Sequence, residues 1–403
     1  MSLLPITNSD KKQNHIAILK EIRKQDMITK TDLVDKVHLT SVGVGNIVGE
    51  LIEAGIVREA GYGESRGGRP PVLYTMEWDS VYVIAVVFGV KHISVSLVNL
   101  RGDIKENVTW DTESDTIIDR VFELIDYVLR NSSIKRGKIL GIGVSAPGPI
   151  DDTNRVILTP PNLTGAKNLD IAQLLEERYQ LATVLEVDAN ASALAEQWFG
   201  RVNPNEDILY VFNDQGLGGG LIIDSKIYKG YGNSAGEIGH MAIDIDGPAC
   251  SCGNYGCLET LSSGIAIQHK VKAKIRRASP TTLTPYYENG KDNITLELIA
   301  EHANAGDSIA IQTFEEAARY LGIGVANVIN LFAPDQVVFG GRVIELFPET
   351  IQIAEQVAKA RAFSPLSKKI KFEQSSFNNH SSMVGAAATI QQKLFDHPET
   401  ILM

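Results

Sequence analysis

The chain has 403 residues, of which 44% are hydrophobic and 22% are charged, and its formal net charge is −11. This length exceeds what one ordinary hydrophobic core serves, so we expect two or three domains, and the composition excludes a disordered protein. The acidic balance is unfavourable for nucleic-acid binding by the chain as a whole.

The first residues, MSLLPITNSDKK, lack the basic flank and apolar run of a secretory signal. The longest apolar run, VYVIAVVFGV, is followed by Lys91 and is too short to cross a bilayer. There are three cysteines, and an odd number of thiols without a secretory signal favours a reducing compartment. We therefore expect a cytoplasmic protein with no membrane segment.

Residues 1–78 are predicted to form a separate N-terminal domain. Their ten basic and ten acidic side chains balance, so the rest of the chain carries the whole net charge of −11. The apolar spacing predicts three helices, in the segments NHIAILKEIRKQ, TKTDLVDKV and LTSVGVGNIVGELIEAGIV. Two strand-like pieces, IVREAG and PVLYTM, flank the glycine-rich YGESRGGRP. This order indicates a winged helix-turn-helix, a DNA-binding fold.

The expected DNA contacts of this domain lie in its wing and its third helix. Arg66 and Arg69 at the tip of the wing can enter the minor groove, where the potential is most negative. The third helix contains no Lys or Arg, so base contacts fall to Ser41, Asn46 and the neighbouring backbone. We expect a homodimer or homotetramer on operator DNA, because helix-turn-helix repressors pair about a two-fold axis. A helical domain that binds protein is the alternative.

From Ser80 onward, strands and helices alternate, which predicts an α/β architecture. Two segments resemble each other: VIAVVFGVKHISVSLVNLRGDI and ILYVFNDQGLGGGLIIDSKIYKG each read as strand, glycine turn, strand and closing turn. A duplicated α/β half that opens with a hairpin is typical of the actin-like phosphotransferase fold, whose ligands bind in the cleft between the halves.

Motifs along the body give a specific resemblance. The segments GIGVSAPGPID, LEVDANASALAE, GLGGG, GEIGHM, CSCGNYGCLE and PDQVVFGGRV occur in this order. In these motifs the chain resembles the ROK family of repressors, open reading frames and kinases. The resemblance implies an actin-like (ribonuclease H-like) duplicated sugar-kinase fold behind the winged helix, with subdomains at 79–197 and 198–382. A C-terminal helix at 383–403 would complete the first subdomain.

All the cysteines lie within eight positions, at Cys250, Cys252 and Cys257, and His240 precedes the first of them by ten residues. Three thiolates and one imidazole fill a tetrahedral shell and leave no open position. The spacing therefore predicts a structural Zn²⁺ and not a catalytic one. Three buried cysteines that act only as small hydrophobic residues are the alternative.

The resemblance also implies a sugar-binding site. In the ROK family the positions that match Glu237, His240 and Glu259 contact the sugar, as does the position of Asp188 in the segment VDAN. Carboxylates and imidazoles suit this role because they pair with neighbouring sugar hydroxyls. In the family the histidine uses one ring nitrogen for zinc and the other for a hydroxyl, so the metal would fix its tautomer.

Three further positions concern the binding of the sugar. Gly148 and Gly165 match family glycines at which the backbone passes near the sugar. The family has Asn where this chain has Val187, so one contact of the hexose-binding members is missing. Solvated surface carboxylates are the alternative interpretation of the acidic residues.

Phosphoryl transfer requires a base at the acceptor hydroxyl, a phosphate cradle and a carboxylate that positions Mg²⁺. Asp188 occupies the base position if the chain is a kinase. However, ROK kinases have an Asp-x-Gly turn where this chain has Val87-Phe88-Gly89, and Gly-Thr-Gly where it has Asp214-Gln215-Gly216. The valine cannot bind Mg²⁺, and the aspartate repels a triphosphate. We therefore expect no catalysis.

The expected function is that of a sugar-responsive transcriptional repressor of carbohydrate-utilisation genes, built on a degenerate kinase body. A monosaccharide or a derivative in the cleft would alter the binding of operator DNA. The alternatives are an active ATP-dependent sugar kinase with a DNA-binding appendage, and a zinc-stabilised domain that binds only protein.

Overall fold

The computed structural model describes residues 9–64, 69–89, 92–111, 117–159, 166–287, 293–363 and 369–396. Two predicted site residues, Arg66 and Gly165, lie outside these ranges.

The N-terminal domain consists of three helices and a three-stranded sheet. Its elements are α1 (Ser9–Gln25), β1 (Ile28–Thr29), α2 (Lys30–Val37), α3 (Ser41–Glu53), β2 (Val57–Tyr62) and β3 (Val72–Met76). Thr29 and Thr40 cap α2 and α3, because their side chains accept hydrogen bonds from the backbone N–H groups of Asp32 and Gly43, each at 3.1 Å. β2 and β3 pair antiparallel as the wing, and β1 pairs with the other edge of β3. The predicted winged helix-turn-helix is confirmed.

The body consists of two halves with the same sheet topology. The first half contains β4 (Tyr82–Phe88), β5 (His92–Asn99), β6 (Ile104–Asp111), α4 (Ile117–Asn131), β7 (Ile139–Ala146), β8 (Ile150–Asp151), β9 (Val156–Ile157), α5 (Ile171–Tyr179), β10 (Thr183–Val187) and α6 (Asp188–Phe199). The second half begins with β11 (Ile208–Asn213), β12 (Leu217–Ile223) and β13 (Lys226–Ile227) and continues with β14 (Gln336–Gly340), α12 (Arg342–Leu346), α13 (Glu349–Arg361), β15 (Lys371–Gln374) and α14 (Ser381–Asp396).

The strand orders of the two sheets are β6-β5-β4-β7-β10 and β13-β12-β11-β14-β15. In each sheet the first three strands form an antiparallel meander, and the last two run parallel to the first. Every residue of β4 and β7 is buried, as expected for central strands of a sheet that is covered on both faces. The predicted duplicated actin-like fold is confirmed.

The second half carries a long insertion between β13 and β14. It contains α7 (Leu258–Ser262), α8 (Gly264–Arg276), α9 (Thr284–Tyr287), α10 (Leu296–Asn304) and α11 (Ser308–Phe332). Residues 241–257, which include all the cysteines, have no helix or extended strand, and their pairing is limited to isolated bridges such as that of Ala242 with Cys257.

Helices α6 and α14 cross between the two sheets. α6 follows the last strand of the first sheet but packs on β11 and β12 of the second, whereas α14 packs on β4, β7 and β10 of the first. Glycines permit this close approach: a Cβ on Gly143 would collide with the carbonyl oxygen of Ala386, and one on Gly385 would collide with that of Ala191. The two halves are therefore joined through their helices.

The helix ends differ from the predicted subdomain boundaries. The boundary predicted at residue 197 lies inside α6, because the apolar Trp198 and Phe199 continue the helix up to Gly200. The C-terminal helix begins at Ser381, two residues before the predicted start. Among the described residues, no helix is both long enough and apolar enough to span a membrane.

Candidate functional site

A cavity of about 860 Å³ lies in the cleft between the two sheets. Both halves contribute to its walls, through the turns that follow β4, β7 and β10 and through the β11–β12 turn. Clefts of this size hold small-molecule ligands in many proteins. Five of the predicted sugar-site residues line it, namely Gly148, Asp188, Glu237, His240 and Glu259.

The first half places Gly148 and Asp188 in the cleft from the ends of two neighbouring strands. Asp188 is the first residue of α6, and its carboxylate accepts a hydrogen bond of 2.7 Å from the backbone N–H of Ala189. Gly148 lies beside the acidic group of the opposite wall, since a Cβ there would be 3.5 Å from Glu237 Oε1. The same Cβ would be 3.9 Å from the methyl groups of Val187, so an apolar surface adjoins the carboxylates.

The second half places Glu237, His240 and Glu259 in the cleft from the insertion. Glu237 immediately precedes a single 3₁₀ turn, Ile238–His240, so one tight turn of backbone separates Glu237 from His240. Glu259 is the second residue of α7, and its Oε2 accepts a hydrogen bond of 2.9 Å from the backbone N–H of Leu217 on β12. This bond ties the insertion to the sheet.

The cleft concentrates negative charge. The pKa of Asp188 is raised to about 7, mainly by burial and in smaller part by the nearby charges of Asp214, Glu237 and Glu259, against the hydrogen bond from Ala189. Loss of hydration also raises the pKa of Glu237, although its side chain faces the open cleft; the charge of Glu259 adds to this effect and that of His240 opposes it. A ligand that donates hydroxyl hydrogen bonds would offset this mutual repulsion.

His240, Cys250, Cys252 and Cys257 form a cluster that could hold a metal ion. Their four ligand atoms all lie within 4.8 Å of one another. Cys250 Sγ is 3.6 Å from His240 Nδ1, and Cys252 Sγ is 3.7 Å from Cys257 Sγ. These separations fit a tetrahedral ion, because the edge of a tetrahedron with bonds of about 2.3 Å is about 3.8 Å long.

The metal cluster adjoins the cleft through His240. Its Nδ1 faces Cys250, and the residue also lines the cavity. A metal on Nδ1 would fix the tautomer of the ring and place the proton on Nε2. The two predicted sites therefore share one residue.

The predicted DNA contacts lie on the surface of the winged helix. Ser41 and Asn46 are exposed on α3, and Arg69 is exposed where the chain returns from the wing to β3. Arg66 lies outside the described residues. Nothing in the structure tests the roles of these residues or of the sugar-site residues, which stay predictions.

The sequence did not identify several further polar residues that line the cavity. His92 begins β5, Arg342 begins α12, and His380 precedes α14. The guanidinium of Arg342 pairs with Glu297 at 3.0 Å and with Glu345 at 2.9 Å. Arg342 lies in the motif PDQVVFGGRV and His92 in the first quoted hairpin, but neither pattern points to a role for these side chains. The three residues are far apart in sequence, and the fold brings them to one cavity.

Val87 and Asp214, at the two turns where the sequence predicts altered phosphate-binding motifs, both line the cavity. Val87 is the next-to-last residue of β4 and is an apolar, buried residue at the cavity wall. Asp214 turns back onto its own loop, where its carboxylate accepts a 2.6 Å hydrogen bond from the backbone N–H of Gln215. Burial raises the pKa of Asp214, against the backbone hydrogen bonds from Gln215 and Arg342.

The sequence profile of the ROK family matches residues 83–393. The chain belongs to the ROK family. The match begins after the winged helix and covers both halves of the body, so the predicted resemblance is confirmed.

Two proteins named as sugar repressors match nearly the whole chain. The xylose repressor of Caldicellulosiruptor bescii is 32% identical over 396 residues, which cover 96% of this chain and 98% of that protein. The N-acetylglucosamine repressor of Escherichia coli O157:H7 is 27% identical over 393 residues, which cover 96% of this chain and 94% of that protein.

Two solved ROK structures differ in how much of this chain they match. A ROK family transcriptional regulator, a homologue of the E. coli MLC protein, covers 98% of this chain and 100% of its own, with a TM-score of 0.82 and 26% identity. A ROK family glucokinase from Streptomyces griseus, in complex with glucose and AMPPNP, covers 77% of this chain and 99% of its own, with a TM-score of 0.68 and 26% identity.

Proposed function

We propose that this ROK protein is a transcriptional repressor whose affinity for operator DNA changes when a monosaccharide or a derivative binds in the cleft. The observation that carries the proposal is the extent of the matches: a regulator matches 98% of the chain, whereas a glucokinase matches 77%. The winged helix precedes the family match at residue 83. Operator binding requires such a domain and phosphoryl transfer does not.

Asp188, Glu237, His240 and Glu259 are the proposed sugar ligands. They supply three carboxylates and one imidazole to a single cavity from both of its walls. Relatives are named for xylose and N-acetylglucosamine, so these sugars are the first candidates. Val187 presents methyl groups beside Glu237, where a polar side chain would hold one more hydroxyl. We therefore expect D-xylose to bind more tightly than D-glucose.

Zn²⁺ is the metal proposed for the cluster of His240 and the three cysteines. Three thiolates and one imidazole with tetrahedral spacing are a typical ligand set for structural zinc. The ion would cross-link residues 241–257, which otherwise have isolated bridges and turn hydrogen bonds but no regular helix or strand. It would also hold Glu237 and Glu259 in the cleft, since they flank the ligands in sequence.

We propose further that the cleft does not transfer phosphate. Val87 places a hydrocarbon side chain where the kinases of the family have a carboxylate for Mg²⁺, and Asp214 adds a carboxylate where they have threonine. The competing function is an ATP-dependent sugar kinase. A coupled ATP-consumption assay over a panel of pentoses and hexoses separates the two, and sustained turnover with any sugar would reject the repressor-only proposal.

Helix α6 is the proposed connection between sugar and DNA sites. Its first residue is Asp188 in the cleft, and its twelve residues extend about 18 Å to Trp198 and Phe199. At that end, Arg23 of α1 lies 3.9 Å from the centroid of the Trp198 ring and donates a hydrogen bond of 3.1 Å to the Trp198 carbonyl. The winged helix therefore rests on the far end of a sugar-site helix.

The contact of α1 with α6 also includes α14 and a second charged residue of α1. Burial lowers the pKa of Arg23 to about 10, and the ring of Phe395 from α14 lies 5.8 Å from its guanidinium. Lys20, one turn earlier on α1, pairs with Asp396 at 3.0 Å. Closure of the cleft around a sugar would move α6 relative to α14, and α1 contacts both helices. A ligand shifts such an equilibrium only if it binds one state better, so a sugar that weakens operator binding must bind less well to the state that binds operator.

The proposal is tested on the full-length protein in two steps. A thermal-shift screen of D-xylose, N-acetylglucosamine, D-glucose and their phosphates, with and without ATP, identifies the effector. Fluorescence anisotropy then measures binding to a duplex that the protein selects from a random-sequence library, with and without that effector. We expect the sugar to weaken binding and the selected site to be palindromic, as a homodimer or homotetramer requires. A protein that selects no duplex and shifts with no sugar would instead be a domain that binds only protein.

A further inference from the structure

Helix α3, the predicted recognition helix, has no basic residue of its own. Its sequence is SVGVGNIVGELIE, and its exposed residues include Ser41, Val42 and Asn46. A recognition helix lies between the phosphates that border the major groove, and Lys or Arg contacts to those phosphates supply much of the affinity. A positive charge on this surface must therefore come from another element.

Lys30, the first residue of α2, reaches the exposed face of α3. A Cβ placed on Gly45 would lie 2.7 Å from Lys30 Nζ and 3.2 Å from Lys30 Cε, so the end of the lysine side chain passes directly over the backbone of α3. Gly45 shares a helix face with Ser41 and Val42, because residues three and four positions apart are neighbours on a helix surface. The ammonium group thus lies on the exposed face of α3.

The glycines of α3 are not equivalent at this contact. A Cβ on Gly49 would meet nothing within 4 Å, whereas one on Gly45 would meet the lysine. Glycine is a weaker helix former than alanine, so the missing side chain at Gly45 costs helix stability and leaves room for the ammonium group. Among the described residues, Lys36 of the same helix pairs with Glu21 at 3.7 Å, but no such ion pair involves Lys30.

We infer that Lys30 donates a charge-assisted hydrogen bond to a DNA phosphate beside α3, and that Gly45 is the gap that lets it reach this phosphate. The inference rests on the proposed operator binding and adds a contact from outside the recognition helix. A lysine binds phosphate as a point charge and does not read bases, so Lys30 contributes affinity without sequence preference.

The experiment uses the full-length protein with two probes, the duplex selected from a random-sequence library and a duplex of unrelated sequence. Fluorescence anisotropy gives dissociation constants over a series of salt concentrations. Lys30→Ala should weaken binding to both duplexes by a similar factor, about five- to tenfold, and should reduce the slope of log affinity against log salt by about 0.9. Gly45→Ala should act in the same direction, because its methyl group displaces the ammonium group.

Two matched variants serve as controls. Gly49→Ala adds the same methyl group to α3 where there is open space, and Lys36→Ala removes a lysine that is already paired. Both should retain the wild-type salt slope, and circular dichroism melting shows that each variant is folded. If Lys30→Ala keeps the wild-type slope, or if Gly45→Ala and Gly49→Ala bind alike, the inference is wrong although the proposed function stands. If the wild-type protein selects no duplex, the proposed function itself fails.

Discussion

The two halves of the body have the same strand order, yet they build their walls of the cleft in different ways. The first half presents Gly148 and Asp188 at the ends of β7 and β10, where a sheet and α6 fix the backbone. The second half presents Glu237, His240 and Glu259 from its insertion, where residues 241–257 have only isolated bridges and turn hydrogen bonds and no regular helix or strand. The two halves therefore share a sheet topology but hold their cleft residues in different ways.

The difference lies in one connection. In the first half, the connection from β6 to β7 occupies residues 112–138. In the second half, the equivalent connection from β13 to β14 occupies residues 228–335. A short connection is held in place by the core, whereas a long segment with little pairing needs another constraint. The cluster of His240 and three cysteines is suited to supply it. We therefore expect the second wall of the cleft to depend on a metal and the first wall to be independent of it.

Removal of the metal should have the largest effect, because only the second wall of the cleft is expected to depend on it. Cys257→Ser deletes one of four ligands, so we expect loss of the bound ion and a fall in the thermal midpoint of about 5–10 °C. Plasma mass spectrometry of the purified protein and thermal denaturation with and without a chelator measure both effects. Ser251→Ala, an exposed position in the same loop, is the matched control. A protein that carries no metal and is indifferent to chelation would contradict the proposed cross-link.

Loss of one carboxylate from the second wall should have the next largest effect. Glu237→Ala removes a charge-assisted hydrogen bond to the sugar, which should weaken effector binding about 10- to 100-fold and leave operator affinity without sugar unchanged. Isothermal calorimetry with the effector and anisotropy with the selected duplex separate these quantities. Asp246→Ala deletes an exposed carboxylate of the same insertion and should bind sugar normally. Loss of both activities in Glu237→Ala would argue against separate sites.

The pH dependence of sugar binding tests the wall from the first half. Because the pKa of Asp188 is raised to about 7, its carboxylate is mostly protonated at pH 6 and mostly ionised at pH 8. A sugar hydroxyl donates more strongly to the ionised form, so affinity should rise about fivefold over this interval. Calorimetry at several pH values measures the change, and Asp188→Asn should abolish it. A pH-independent affinity in the wild-type protein would exclude Asp188 as the acceptor.

The raised pKa of Asp188 also makes the stability of the folded protein depend on pH. This pKa is higher in the folded chain than in the unfolded chain, so the folded state binds the proton more tightly. The ligand-free protein should therefore lose stability as the pH rises from about 4 to about 7, and the thermal midpoint of Asp188→Asn should fall less over this interval.

The smallest expected effect concerns the connection through α6. Trp198→Leu removes the ring on which Arg23 stacks, so the effect of sugar on the operator dissociation constant should shrink about threefold, although sugar and DNA each still bind. Titrations of DNA at zero and saturating sugar measure this coupling. Trp110→Leu is the control, because Trp110 also stacks against an arginine, Arg120 at 4.4 Å, but lies on the edge strand β6. An unchanged sugar effect in Trp198→Leu would place the connection elsewhere.

Local features of the molecule were predictable from the sequence by itself. The capped helices of the winged domain, the paired hairpins, and the spacing of His240 and the cysteines all lie within short stretches of chain. Each follows from backbone hydrogen bonding, apolar periodicity or ligand count, which neighbouring residues decide among themselves.

Only the tertiary structure decided which distant residues meet. Arg23 and Trp198 are 175 positions apart, and they touch because α6 and α14 cross between the sheets. Lys30 lies over Gly45 because of the angle between α2 and α3. The raised pKa of Asp188 reflects its burial in the cleft and, in smaller part, the carboxylates that the second half brings near it. The physical reason is that such contacts depend on the packing of whole helices and sheets, to which every part of the chain contributes.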